Sequence, residues 1–190
     1  MIGRSDSPAR HTCQSHRYIS AIFTMLAMLC PHSMKAQQDE RSVRAAFVYS
    51  LTKYVTWPVA DHELNICVLG GGATGPALKL VVDGKISQGR TIHVLLESSN
   101  GTSLHHCDIV YWTDVATSRA LSALDRTRGT STLTVGENDR FVRQGGMIGF
   151  VRSGDSIQIE VNLDSVKAGG LKVSSRFLDL ALIIHAGRPG

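Results

Sequence analysis

The chain lacks most of the signatures by which enzymes announce themselves. Among its 190 residues there is no Gly-x-Ser-x-Gly elbow, no paired-carboxylate motif and no Cys-x-x-Cys pair. Those absences argue against the common serine hydrolases, glycosidases and dithiol oxidoreductases. There is no internal repeat and no low-complexity tract, which excludes solenoids and long linkers. After residue 36 no basic run occurs, so nucleic acid is not an expected partner. No apolar run is long enough to span a bilayer comfortably; the longest covers residues 19–29. What remains is 43% hydrophobic and 19% charged, an ordinary globular balance for one domain with a real core.

The apolar run has a different explanation. Arg10, His11, His16 and Arg17 precede it, Pro31 breaks it, and Ser33-Met-Lys-Ala36 ends in a small residue. Residues 1–36 therefore read as a secretory signal peptide, and residues 37–190 as a single exported domain, periplasmic in a bacterium. A buried N-terminal helix is the competing reading. A lipoprotein is disfavoured because Leu29, a large residue, precedes Cys30. Without the leader the net charge falls to about +1 with histidines neutral, so the basic pI belongs largely to the leader. Cys13 and Cys30 leave with it, and only Cys67 and Cys107 remain.

Periodicity gives the architecture. Asp39 caps a helix from about residue 40, with Val43, Ala46, Phe47, Leu51, Tyr54 and Val55 on its apolar face, stopped by Trp57-Pro58. Strands are expected at 64–69, 91–96, 108–112, 130–135 and 146–152. Helices are expected at 77–82 (capped by Thr74 or Gly75) and 117–126. A hairpin turn at 153–155 leads to an alternating strand at 156–161. A short helix at 163–168 follows, then a final helix from Ser174 or Ser175 to about residue 185. Alternating strands and helices define a three-layer α/β fold: a mostly parallel sheet flanked by helices, with an antiparallel edge hairpin near the C-terminus. Right-handed crossovers favour the order 2-1-3-4-5, with strand 64–69 central.

That central strand runs into Gly70, Gly72 and Gly75, a Gly-x-Gly-x-x-Gly match, with Glu97 following 22 residues after Gly75. Strand, glycine turn, helix, strand and acid together form the dinucleotide fingerprint. Three facts weigh against a nicotinamide site. An exported chain does not meet free cofactor. Pro76 removes a backbone donor at the helix start. No hydride-transfer or acid–base set follows. The plainer reading is a turn at the mouth of the sheet, forming a ligand or partner edge.

Cys67 lies inside the central strand and Cys107 just before its expected neighbour, close enough for a disulfide. The bridge would close a loop of about 40 residues, worth roughly 3–4 kcal/mol in the chain-entropy model. Two buried free thiols are the alternative. His105-His106-Cys107-Asp108 superficially resembles a metal cluster, but adjacent residues rarely converge on one ion, and no metal is expected. Ser175 and Arg176 offer an anion contact at a helix start, with plain capping by Ser174 and Ser175 as the competing role.

The chain resembles the YfiR-type periplasmic regulators. The matching pieces are Val43-Arg-Ala-Ala-Phe-Val-Tyr-Ser-Leu-Thr-Lys-Tyr-Val-Thr-Trp-Pro58, Ile66-Cys-Val-Leu-Gly70 and Gly89-Arg-Thr-Ile-His-Val94. They continue through Cys107-Asp-Ile-Val110, Leu133-Thr-Val135 and Phe141-Val-Arg-Gln-Gly-Gly-Met-Ile-Gly-Phe-Val151. Ile159-Glu-Val-Asn-Leu163 and Gly170-Leu-Lys-Val-Ser-Ser-Arg-Phe-Leu178 complete the set. The resemblance implies a non-enzymatic repressor without a cofactor. Its partner would be the periplasmic region of an inner-membrane diguanylate cyclase, or a related sensor. An OmpA-like outer-membrane lipoprotein would sequester it, and a homodimer is plausible. Cys67 and Cys107 match one disulfide of the family; the second pair falls in the Gly-Gly-Met-Ile region, where this sequence has no cysteine. Trp57, Trp112 and Phe141 are candidate interface aromatics, with burial in the core as their competing role.

Overall fold

The structure is a computed structural model, and it describes residues 32–60, 63–97, 104–113, 117–154 and 156–185. The leader expected over residues 1–36 lies outside these, apart from its last five residues.

In chain order, helix α1 (His32–Tyr54) leads into β1 (Val55–Thr56) and β2 (Leu64–Leu69). Then come α2 (Thr74–Val82), β3 (Ile86–Ser87), β4 (Arg90–Glu97), β5 (Ile109–Trp112) and α3 (Thr117–Thr127). The second half holds β6 (Leu133–Gly136), β7 (Ile148–Ser153), β8 (Ser156–Asn162) and α4 (Leu163–Ala168). Strand β9 (Lys172–Val173), α5 (Ser175–Leu178) and β10 (Ala181–Ile184) close the chain. The main sheet has eight strands in the order β10-β8-β7-β6-β5-β2-β4-β3, and β1 pairs with β9 in a small second sheet. The run β4-β2-β5-β6-β7 is parallel throughout. It reproduces the expected 2-1-3-4-5 order, with β2 between β4 and β5.

Side chains alternate across this sheet and build two cores. On one face, Ile66, Val68, Tyr111, Val135 and Phe150 pack with Val48 and Leu51 of α1 and Leu78 and Val82 of α2. On the other, Cys67, Leu69, Val110 and Trp112 pack with Ala123 and Leu124 of α3 and with Phe141 and Val142. Strand β2 is buried from both sides, which is why it reads as a continuous apolar run. Each large apolar side chain so enclosed contributes about 1.5–3 kcal/mol.

Several local expectations fail for identifiable reasons. Helix α1 already begins at His32, so Asp39 is interior to it and not its cap. Its buried side is Arg44, Ala45, Val48, Leu51 and Thr52, whereas Val43 and Tyr54 are exposed. Helix α2 starts at Thr74 with Ala73 in the cap position, and no side chain caps it. The final helix is only the four residues of α5; Ala181–Ile184 instead forms β10, parallel to β8. An apolar run this short fits a helix face or a strand equally well. The β7–β8 hairpin is therefore one strand in from the edge.

Candidate functional site

The face of the sheet that carries Cys67 is built around the disulfide. Cys67 and Cys107 are bonded, with their Cα atoms 5.8 Å apart. Both are buried. The backbone N–H of Cys107 donates to Leu104 O at 3.1 Å. That turn folds the preceding residues over the cross-link, and His106 Nε2 comes to 3.7 Å from Cys67 Sγ. The same ring nitrogen stands 3.8 Å from Glu97 Oε1, at the end of β4. Beside the disulfide opens a cavity of about 340 Å³, bounded by Trp57, Leu104, His106, Cys107, Asp108 and Arg126 among others.

A buried ion pair forms the floor next to this cavity. Arg90 Nη2 donates to Asp108 Oδ1 at 2.8 Å and to Glu63 O at 2.9 Å. The other oxygen, Asp108 Oδ2, accepts from the backbone N–H of Asn65 at 2.8 Å. Trp57 joins from above: its indole N–H donates to Asp108 O at 3.3 Å, and the Arg90 guanidinium lies 5.8 Å from its ring centre. Four chain segments are thus held together at the amino ends of β2, β4 and β5.

A second polar network ties α1 to the carboxyl ends of the central strands. Arg44 pairs with Glu40 and with Glu137, and Arg152 also pairs with Glu40. Tyr111 donates its hydroxyl to Glu137. The Arg44 hydrogen bond, aided by the Arg152 charge, holds the Glu40 carboxyl below its ordinary value. Burial, with the Glu137 carboxylate alongside, pushes the Tyr111 phenol well above its own. The one clue to this network at the level of sequence is the Glu40–Arg44 spacing of four on a helix.

The expected site residues do not converge. Gly70 and Gly72 adopt φ of +124° and +89°, the turn role that only glycine fills easily. A Cβ on Gly75 would sit 3.1 Å from Val68 Cγ1 and 3.2 Å from Leu96 Cδ2, so this glycine lets α2 approach the sheet. Thr113 Oγ1 donates to Gly71 O at 3.3 Å, tying the turn to the end of β5. Glu97, the acid of the fingerprint, turns towards His106. Ser175 and Arg176 are exposed on α5. The segment is anchored elsewhere, by the Ser174 N–H to Tyr54 O bond, and the Ser174 side chain makes no cap. Trp57, Trp112 and Phe141 are 6%, 3% and 3% exposed, so all three are core and none offers an interface patch.

These features define a class: a three-layer α/β domain whose central strand is cross-linked to the turn before its neighbour. The particular family follows from direct comparison. Residues 41–182 match the model of the YfiR/HmsC-like family, and the chain belongs to it. That family is one of periplasmic regulators and not of catalysts. No curated protein matches the chain. Among the described residues, no helix is long and apolar enough to cross a membrane.

Proposed function

We propose that this protein represses an inner-membrane diguanylate cyclase, or a related sensor, by binding its periplasmic region and so lowering cyclic di-GMP signalling. The observation that carries this reading is the family match across residues 41–182. The disulfide-tethered sheet supports it, because a rigid surface discriminates between two states of a mobile partner. Repression is then the difference in affinity for those states. An OmpA-like outer-membrane lipoprotein competing for the same protein would relieve it.

With the three aromatics buried, the partner surface is sought among exposed apolar side chains. Leu80 and Val81 on α2 and Ile86 on β3 are 88%, 41% and 68% exposed, and a short turn joins the two elements. They flank the β3 edge of the sheet. The test is capture of the membrane partner by tagged protein from detergent-solubilised membranes, paired with cyclic di-GMP measurement in a deletion strain. The expected result is recovery of a sensor-type cyclase and a rise in cyclic di-GMP. Leu80→Asp and Ile86→Asp are expected to reduce recovery while leaving stability within about 0.5 kcal/mol. Recovery of no sensor-type membrane protein, with unchanged cyclic di-GMP, overturns the reading. The cavity beside the disulfide favours a second reading, a small-ligand-binding module, which calorimetry with periplasmic extracts fractionated by size would address.

A further inference from the structure

Three side chains with metal-binding chemistry meet on the disulfide face, and a fourth, Glu97, stands beside one of them. The two sulfurs of Cys67 and Cys107 and a ring nitrogen of His106 lie within 4.8 Å of one another. Glu97 Oε1 is 3.8 Å from His106 Nε2. These groups come from β2, from the end of β4 and from the turn before β5. His106 and Cys107 are neighbours in sequence and would ordinarily diverge, but the turn closed by the Leu104–Cys107 hydrogen bond brings both to one side.

In the disulfide the sulfurs are not thiolates and make poor ligands. A dithiol reductant changes that. Its two sulfurs become joined as a disulfide, and two electrons with two protons pass to Cys67 and Cys107. Each thiol then releases its proton to water as a metal binds. We propose that the reduced protein holds one zinc-class divalent ion through Cys67, Cys107, His106 and Glu97. Two sulfurs, one nitrogen and one oxygen make a four-coordinate zinc set, with donors roughly 3.5–3.8 Å apart around the ion. His106 already stands at about this distance from Cys67 Sγ and Glu97 Oε1; the sulfurs must separate and the Glu97 carboxylate must swing towards them. Thiolates and imidazole select zinc over magnesium and calcium. The side chains of His106 and Glu97 are 45% and 33% exposed, which gives the ion a way in above the buried cysteines. The metal would bridge the same two chain positions as the bond it replaces, so the central strand stays tethered in either state.

The test uses the whole mature protein, reduced with excess dithiol, freed of reductant under argon and titrated with Co²⁺, then Zn²⁺. One equivalent of Co²⁺ is expected to give sulfur-to-cobalt charge-transfer absorption, lost on adding one equivalent of Zn²⁺; the oxidised protein gives neither. Zn²⁺ is expected to raise the melting temperature of the reduced protein only. His106→Ala and Glu97→Gln change partly exposed side chains and keep both cysteines, so they fold as the oxidised protein does. After reduction, His106→Ala is expected to bind Co²⁺ at least about tenfold more weakly. No charge-transfer band in the reduced protein overturns the proposal. So does equal affinity in His106→Ala, which would mean that the two thiols bind alone.

Discussion

Arg90 and Asp108 form a buried ion pair whose disruption is costly. Both side chains are almost fully enclosed, 6% and 5% exposed. Breaking one side of such a pair leaves an uncompensated charge, which costs about 3–5 kcal/mol. Arg90→Met is therefore expected to lower the urea-denaturation stability by that amount. The double variant Arg90→Met with Asp108→Leu is expected to recover part of it, because no lone carboxylate remains. The sequence hid this pair. Arg90 opens a strand after a glycine, Asp108 follows a cysteine, and 18 positions separate them with no periodic relation. Charged residues in a sequence most often mark solvated faces, and the same default hides Arg44. By contrast Cys67 and Cys107 were legible, since a buried strand and its neighbour's start must lie side by side in a parallel sheet.

Elements with a strong period were legible, and those of two residues were not. The five parallel strands and the β7–β8 hairpin follow from apolar runs, alternation and crossover handedness. Strands β1, β3 and β9 have two residues each and no period to read. The turn between β6 and β7 shows what composition conceals. Phe141 packs 5.4 Å from Trp112, centre to centre, and its ring sits against Gly136 and Gly146. A Cβ on either glycine would run into that ring. Gly146→Ala is accordingly expected to destabilise by about 1–3 kcal/mol through overpacking, readable as a lower thermal midpoint. This also explains why Phe141 is unavailable to a partner: its ring is enclosed by Trp112, Gly136 and Gly146.

For the molecule as a whole, the layers are joined by charge as well as by apolar packing. Glu40 on α1 reaches Arg152 on β7, and Arg44 reaches Glu137 after β6. The Arg44 hydrogen bond holds the Glu40 carboxyl below its ordinary value in the folded protein, so folding favours its ionised form. Its contribution is fully present above the ordinary carboxylate range and is lost as pH falls through the lowered value. Glu40→Gln is expected to melt lower than the wild type at neutral pH. The gap should narrow progressively on acidification below about pH 4.5, and a constant gap would show that the charge is not responsible. The sheet order has a consequence in time. Both cysteines lie in the first 107 residues, and every strand of the main sheet after β5 joins the growing edge in the order in which it occurs: β6, β7, β8, β10. A chain that emerges amino end first can fasten β2 beside β5 before the rest exists. The cross-link then serves as a foundation course, and each later strand is laid against a finished edge without waiting for one still to come.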